Sequence, residues 1–389
     1  MATMVAAPKR ALFEPEHDDY RESFTKFLAK EVIPHREEWE QAHVVPRELF
    51  TKAAEHGFLA MAVPEEYGGP GVDDYRFSVV LAEEAARTGA GASFGGPMLH
   101  TDVCLPYILG AATDEQKQRW LPRMASGESI LAIAMTEPGT VSDLAAIKTR
   151  AKLEGDTYVL NGQKTFITNG LNCDQVIVAA KTDPDASHAG MSLIVVDADS
   201  PGFTKGKPIE KLGQNASDTT ELFFEDVEVP AENLLGGEGT GFFQLMEKLV
   251  PERLILAVSS IAGCERVLAG TLEYVKERKA FGRPIGSFQN SRFAMAEMKT
   301  EITIGRTFVD DLIRRHCSGD VSVEEAAMAK WWTTELLGRV TDRCLQLHGG
   351  YGYTREYEIG QAWIDARITR IYAGSNEIMK ELIGRTMGL

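Results

Sequence analysis

Met191-Ser-Leu-Ile-Val-Val196 is a short run of β-branched and large apolar residues, and it is one of a series. Tyr158-Val-Leu160, Phe166-Ile-Thr168, Gln175-Val-Ile-Val178 and Glu221-Leu-Phe-Phe224 share its texture. Turn formers separate the runs, among them Glu154-Gly-Asp156 and Asn161-Gly162. Short strands at this spacing predict a small antiparallel barrel or sandwich over residues 130–229. Outward from it the pattern changes. Before Ser129, apolar residues recur at helical spacing over 20–31 and 77–87, punctuated by Pro34, Pro46, Pro64 and Gly68-Gly-Pro-Gly71. Thr113-Asp-Glu-Gln116 has the spacing of a capping box and predicts a helix start leading into Trp120 and Leu121. After Gly236-Gly-Glu-Gly-Thr-Gly241 the helical pattern returns and stays. Residues 254–262 are apolar nearly all round, which predicts a helix buried on every side. The expected class is α+β: a helical domain over 1–129, a β domain over 130–236 and a second helical domain over 237–389.

Composition narrows the function. Of 389 residues, 41 are Lys or Arg and 57 Asp or Glu, a net charge of −16. That field repels a phosphate polymer and excludes nucleic acid as a partner, while a small anion can still bind where basic groups converge. The five cysteines (Cys104, Cys173, Cys264, Cys317, Cys344) are scattered, without Cys-x-x-Cys or Cys/His spacing. They read as thiols in a reducing compartment, with no metal site. No stretch reaches the roughly 20 uninterrupted apolar residues of a membrane span, and Met1–Arg10 lacks a signal core. The expected location is a bacterial cytoplasm, or a mitochondrial matrix if a transit peptide has been removed.

Gly237-x-Gly239-x-Gly241 is not a dinucleotide fingerprint, because no βαβ unit surrounds it; it reads as a flexible junction. Other segments carry chemistry. Met135-Thr-Glu-Pro-Gly-Thr-Val-Ser-Asp143 offers hydroxyls and backbone N–H groups in a tight loop, able to bond a ring or a phosphate. Phe166-Ile-Thr-Asn-Gly170 adds an aromatic and a hydroxyl at a strand end. In Arg278-Lys-Ala-Phe281-Gly-Arg-Pro-Ile-Gly-Ser-Phe-Gln289 a guanidinium can clamp a pyrophosphate, an aromatic can stack on adenine and an amide can read its edge. Gln346-Leu-His-Gly-Gly350 is a glycine-rich turn that allows close backbone approach. His348 within it reads as a structural histidine.

Taken in order, these segments and Ile371-Tyr-x-Gly-Ser-Asn-Glu-Ile378 resemble the acyl-CoA dehydrogenase family over nearly the whole chain. Val250-Pro-Glu-Arg-Leu254 and Asn376-Glu-Ile-Met-Lys-Glu-Leu382 look most like its long-chain branch. The resemblance implies an antiparallel β-barrel in the middle domain and a four-helix bundle at the C-terminal end. It implies FAD as cofactor, with Thr136, Ser142, Phe166 and Thr168 at the isoalloxazine. Arg278, Phe281 and Gln289 would reach the ADP half of FAD on a neighbouring subunit, with Gln346, Gly349 and Gly350 at that end. Ser375 and Glu377 would touch the FAD of their own subunit. A homotetramer, a dimer of dimers sharing FAD across an interface, follows from the same resemblance, as does electron-transferring flavoprotein as acceptor.

The implied reaction removes the α-proton of an acyl-CoA and passes a hydride from the β-carbon to flavin N5, giving a trans-2-enoyl-CoA. Many members place the base in an Ile-Tyr-Glu-Gly-Thr segment. Here that position is Ala373, which cannot accept a proton. The long-chain and isovaleryl members carry the base in a Glu-Arg-Leu sequence, found here as Glu252-Arg253-Leu254. Leu245, Leu249, Glu252 and Leu256 share one helical stripe, so Glu252 sits among apolar residues. A carboxylate there is costly unless paired or functional. A structural Glu252 paired to a cation is the alternative. Arg253 is read as a contact to the CoA end and Phe243 as lining the acyl or pantetheine channel. Ser142 and Gly374 join the substrate contacts, and the Ala373 N–H would hold the thioester oxygen. The alanine frees volume beside the reacting carbons, which suits a long or branched chain.

Three departures stand out. Val141 occupies a usually glycine position in the flavin loop and disfavours positive φ. Phe166 replaces a common tryptophan and loses its indole donor. Gln361 stands where a basic residue is frequent. Two rival functions share the fold: an acyl-CoA oxidase or flavin monooxygenase, which uses oxygen, and a non-catalytic flavin-binding subunit of a hetero-oligomer.

Overall fold

The computed structural model describes residues 10–389. The opening stretch read for a missing signal core lies outside the described residues, apart from Arg10. The helices before the sheet are α1 (Pro15–Phe27), α2 (Arg36–Ala42), α3 (Glu48–Glu55), α4 (Tyr75–Thr88), α5 (Gly95–Met98), α6 (Leu105–Ala111) and α7 (Asp114–Ala125). The strands are β1 (Leu131–Ala134), β2 (Arg150–Glu154), β3 (Thr157–Thr168), β4 (Gln175–Lys181), β5 (Met191–Asp197), β6 (Phe203–Lys205), β7 (Thr219–Pro230) and β8 (Leu234–Leu235). Then come α8 (Gly241–Glu277), the two-residue strands β9 (Lys279–Ala280) and β10 (Arg283–Pro284), α9 (Gln289–His316), α10 (Val323–His348), α11 (Glu358–Ile368) and α12 (Asn376–Thr386). The expected order of helices, strands and long helices is therefore present.

Packing groups these elements into two compact units. One holds the segment ending at Pro34, Tyr75–Gly91 and Val250–Leu389; the other holds His35–Asp74 and Ala92–Leu249. The boundary between the units falls inside α8.

In the second unit the sheet runs β6-β7-β3-β2-β4-β5-β8, with β1 added beside β4. Its core is built from inward positions such as Tyr158, Leu160, Val176, Val178, Ile194, Val196, Leu222 and Phe224. Most ladders are antiparallel, but β1 and β4 pair in parallel, with Leu131 opposite Gln175, and β2 meets β4 in parallel at Arg150 and Lys181. The all-antiparallel expectation misses the β1–β4 pair because the β2–β3 hairpin lies between its members in the chain and acts as their crossover. A second correction concerns Asn161-Gly162, which reads as a turn between two strands. It lies within β3, where the register with β7 shifts between Leu160 and Gly162. Gly162 takes φ +151, and a Cβ there would come within 2.5 Å of Thr149 Oγ1. The glycine serves a bulge and a close backbone approach. The junction glycines are likewise fastened: Gly239 N donates to Ser192 Oγ (2.9 Å), and a Cβ on Gly241 would strike the Ser192 backbone at 2.8 Å. The capping box forms as expected, with Gln116 N donating to Thr113 Oγ1 and Thr113 N to Gln116 Oε1.

In the first unit α10 packs against α9, α11 and α12, and α1 against α4. Arg10, Arg21 and Arg306 all reach Glu83, which is fully buried. Arg21 also holds Glu84, and Arg87 and Arg306 hold Glu265. Burial pushes Glu83 up, yet Arg306, Arg10, Arg21 and Arg87 outweigh it and hold the carboxyl at about 2. Helix α8 is, among the described residues, the one helix long and apolar enough to cross a membrane by length and composition, and 56% of its apolar window is buried in the protein. The stretch 254–262 is not buried on every side. Leu254, Ala257, Val258 and Ile261 are enclosed, while Ile255, Leu256 and Ser259 are half-buried.

Candidate active site

The loop after β1 is held from below by a buried ion pair. Lys164, on an inward position of β3, is fully enclosed and donates to Glu137 Oε1 (2.8 Å) and to the Met135 carbonyl (3.1 Å). Glu137 also accepts from the N–H groups of Lys148 (2.6 Å) and Thr149 (2.9 Å). Burial raises Glu137, but Lys164 and these donors together keep it below the usual carboxylate range. Glu137 and Thr140 exchange backbone bonds, so the loop is tight. Beyond that anchor Ser142 and Val141 are exposed, and Thr136 is half-buried. Val141 does not take a positive φ, so the loop adopts a backbone that a β-branched residue tolerates.

A second register shift, between Lys164 and Ile167, throws Phe166 outward. Phe166 has φ +59 and is 59% exposed. Bulges re-aim side chains in this way. Thr168, two residues on, is half-buried, and Asn169 is locked beneath by bonds to the Gly96 and Leu131 carbonyls (both 3.0 Å). Phe243, near the start of α8, is also exposed.

In the first unit a second group assembles. Arg278 is exposed and lies over the Tyr351 ring at 5.1 Å, which brings it to the glycine-rich turn after α10. Gly349 takes φ +60, and neither Gly349 nor Gly350 has an atom within 4 Å of a Cβ position. Gln346 is exposed on the last turn of α10, whereas His348 is buried, bonds the Cys344 carbonyl (2.8 Å) and stacks on Tyr274. That is the structural role expected of it. Phe281 and Gly282 form the turn between β9 and β10, with φ +51 and +79, and Phe281 is 96% exposed. Gln289 opens α9, whose N-terminus has no side-chain cap, so its first N–H groups are available to an acceptor.

The third group, also in the first unit, surrounds Glu252. Glu252 is half-buried on the α8 stripe that continues through Ile255, Leu256 and Ser259. Its neighbour Arg253 is only 3% exposed, and its Nε has no acceptor among the described residues. Its guanidinium lies beside Gly374, with Nη2 3.9 Å from a Cβ position there. Burial lowers Arg253 from the ordinary guanidinium value, and the Glu252 charge works against that shift. Ala373 and Gly374 take φ +52 and +85 in succession. Neither of their N–H groups donates to another protein atom among the described residues. Ser375 caps α12, accepting from Ile378 N, and Glu377 is exposed beside it.

Family models described as acyl-CoA dehydrogenase N-terminal, middle and C-terminal domains match residues 14–128, 132–227 and 239–388. The chain belongs to the acyl-CoA dehydrogenase family. It is 46% identical to the mitochondrial long-chain specific acyl-CoA dehydrogenase of Rattus norvegicus over 97% of this chain and 87% of that protein. A solved acyl-CoA dehydrogenase from Geobacillus kaustophilus superposes with a TM-score of 0.95 at 50% identity, covering 98% of this chain and 100% of the other. A glutaryl-CoA dehydrogenase from Mycobacterium smegmatis, solved in complex with FADH2, has a TM-score of 0.87 at 27% identity, with 97% and 95% covered. Acyl-CoA dehydrogenases are flavoprotein oxidoreductases of fatty acid oxidation, and membership implies FAD.

The residues present fit that cofactor. Phe166 and Phe281 both hold exposed rings on left-handed backbone, a conformation that costs an L-residue roughly 1–2 kcal/mol. The folded chain covers Phe166 only in part and leaves Phe281 almost wholly exposed. A planar heterocycle stacked on each would offset that cost. Two buried lysines beside the candidate site escape motif reading altogether: Lys164, which anchors the loop after β1, and Lys330 on α10, which bonds the Gly374 carbonyl (2.7 Å). Each pairs across a long sequence gap. The one local signal is a lysine on an otherwise uncharged face: Tyr158, Leu160 and Gly162 precede Lys164 on its strand parity, and Ala326, Ala327, Thr333 and Thr334 flank Lys330 on its helix.

Proposed function

We propose that this acyl-CoA dehydrogenase oxidises a long or branched fatty acyl-CoA to the trans-2-enoyl-CoA, with Glu252 removing the α-proton. The observation that carries the reading is the pairing of Glu252, half-open on the apolar stripe of α8, with Ala373 at the turn where other members carry the base. An acyl chain lying along Ile255, Leu256 and Ser259 would cover Glu252 and exclude water. A dry carboxylate is a stronger base. The thioester oxygen would be held by the Ala373 N–H and a flavin ribityl hydroxyl, which stabilises the charge that develops when the α-proton leaves. FAD, when bound, supplies the acceptor for the hydride leaving the β-carbon.

Thr136, Ser142, Phe166 and Thr168 would hold the isoalloxazine, with Ser142 and Phe243 also lining the substrate path. Arg278, Phe281, Gln289, Gln346, Gly349 and Gly350 would hold the ADP half of FAD from a neighbouring subunit, and Ser375 and Glu377 the FAD of their own. Arg278 with the uncapped N-terminus of α9 supports a pyrophosphate contact. Arg253 is read in the sequence as a contact to the CoA end, but it is enclosed beside Gly374 with only 3% exposure, so in this reading it acts near the thioester and not on the outer part of CoA. The chain is read as three domains over 1–129, 130–236 and 237–389. It would assemble as a homotetramer and pass electrons to electron-transferring flavoprotein, in a bacterial cytoplasm or a mitochondrial matrix.

Anaerobic titration of the yellow protein with a long-chain acyl-CoA tests the reaction: bleaching with a new long-wavelength band is expected. Glu252→Gln should keep FAD and thioester binding while turnover falls by about a thousandfold or more. Turnover of that variant at the parent rate would remove Glu252 as the base. Silence of the parent toward long, short and branched thioesters would remove the dehydrogenase reading.

A further inference from the structure

Lys330 sits in the middle of α10 and is fully enclosed, among the largest side chains with no exposure. Its ammonium donates to the Gly374 carbonyl (2.7 Å) and to Asn376 Oδ1 (2.9 Å). No carboxylate lies in ion-pair contact with it among the described residues. Asn376 is itself fixed, donating from Nδ2 to Thr334 Oγ1 (3.1 Å) and Glu335 Oε1 (2.9 Å), while its N–H donates to the Arg370 carbonyl (3.0 Å). Burial, then the charge of Arg253, push Lys330 down to about 8, against the pull of Glu377 and Glu335.

This arrangement is expensive for what it does to the fold. A buried ammonium next to a buried guanidinium costs free energy that a neutral amide in the same place would avoid while still bonding the carbonyl. The position of the two cations accounts for the cost. Both lie against the turn formed by Ala373 and Gly374, Lys330 on the Gly374 carbonyl and Arg253 Nη2 3.9 Å from a Cβ position on Gly374, and among the described residues the two N–H groups of that turn have no acceptor.

We infer that Lys330 is a positioning residue for the thioester carbonyl: by anchoring Gly374 and Asn376 it holds the Ala373 N–H toward the substrate and sets positive charge behind it. The inference rests on the proposed function, in which that N–H receives the thioester oxygen. As the α-carbon loses its proton, negative charge moves onto that oxygen. A fixed cation behind the donor lowers the energy of the charged state more than that of the neutral substrate. Lys330 should therefore act on kcat more than on KM.

The test uses flavin-loaded parent, Lys330→Gln and Lys330→Met. Glutamine keeps a donor and removes the charge; methionine removes both. The probe is a long-chain acyl-CoA with sulfur in place of the β-methylene, which can lose its α-proton but cannot be dehydrogenated. Its anion beside the oxidised flavin gives a long-wavelength band, read per bound flavin together with kcat, KM, FAD content and melting temperature. The expected result is KM within about threefold of the parent, kcat lower by about 10-fold in the glutamine variant and about 30-fold or more in the methionine variant, and the band at least halved. A merely structural role would lower FAD content and melting temperature but leave the band per bound flavin intact. A band and kcat within twofold of the parent in the glutamine variant would overturn the inference, and that variant decides alone if the methionine variant fails to fold. A parent that forms no band with the probe and does not bleach with substrate would instead overturn the proposed function, and this inference with it.

Discussion

Phe281 shows how one residue can be read twice. Its ring is almost wholly exposed, and its φ of +51 is a position where turns of this kind prefer asparagine or glycine. A residue chosen for folding alone would not be phenylalanine. Phe281→Gly should leave the melting temperature of the flavin-free protein unchanged or slightly raised, by up to ~1 kcal/mol of relieved backbone strain. It should also weaken FAD retention by about tenfold, the worth of one aromatic stack. Thermal melts of the apoprotein and flavin content after gel filtration read the two effects separately. Melting that drops while flavin is retained would make Phe281 structural. The motif Arg278-Lys-Ala-Phe281-Gly is legible in the sequence, but the strained backbone beneath it is not. A positive φ is imposed by the β9–β10 pairing, which only three-dimensional contacts define. Glu252 stands out in the sequence as an acid on a leucine stripe at helical spacing, but that spacing fits a structural carboxylate equally well, and only the resemblance, with Ala373 at the other base position, singles it out as a candidate base.

At the scale of elements, the strands were readable from their β-branched runs, and the bulges within β3 were not. Asn161-Gly162 has the composition of a turn, and only the close approach of Thr149 makes it a bulge. The same strand carries Lys164 into the interior to meet Glu137, 27 residues earlier in the chain. Neither residue announces the other, because the pairing depends on how the β1 loop folds back over the sheet. Lys164→Met would leave Glu137 enclosed without its cation. Breaking a buried pair from one side typically costs about 3–5 kcal/mol. The expected outcome is a lower urea midpoint, with FAD lost earlier than global unfolding because the anchored loop opens first. Simultaneous Lys164→Met and Glu137→Gln should recover part of the stability. Lack of any recovery would show that the pair is not the source of the loss.

At the scale of the molecule, the buried ions of the first unit tie its discontinuous segments together. Glu83 is held at about 2 in the folded chain, below its ordinary 4.5, by Arg306, Arg10, Arg21 and Arg87 acting against burial. Between these values the unfolded chain binds the extra proton, so this group stabilises the fold above about pH 4.5, and its contribution fades as pH falls toward 2. Urea midpoints should drop steeply across that window. Glu83→Gln should be destabilised by about 3 kcal/mol or more at neutral pH and show a shallower acid limb. A midpoint that stays flat down to pH 3 in the parent would contradict this. The domain pattern of helices, strands and helices was legible, but the regrouping of α1 and α4 with the C-terminal helices was not, since it rests on ion pairs spanning up to 300 residues. The same regrouping has a consequence for the order of synthesis. The second unit has all its residues by Leu249, whereas Glu83 leaves the ribosome 223 residues before Arg306. At translation rates of about 5–20 residues per second, that is a wait of roughly ten to forty-five seconds. During it, α4 has its arginine partners from the early segments but not the helices that bury it. The sheet-bearing unit is therefore free to close while the chain is still growing, and the unit that carries Glu252 is obliged to close last.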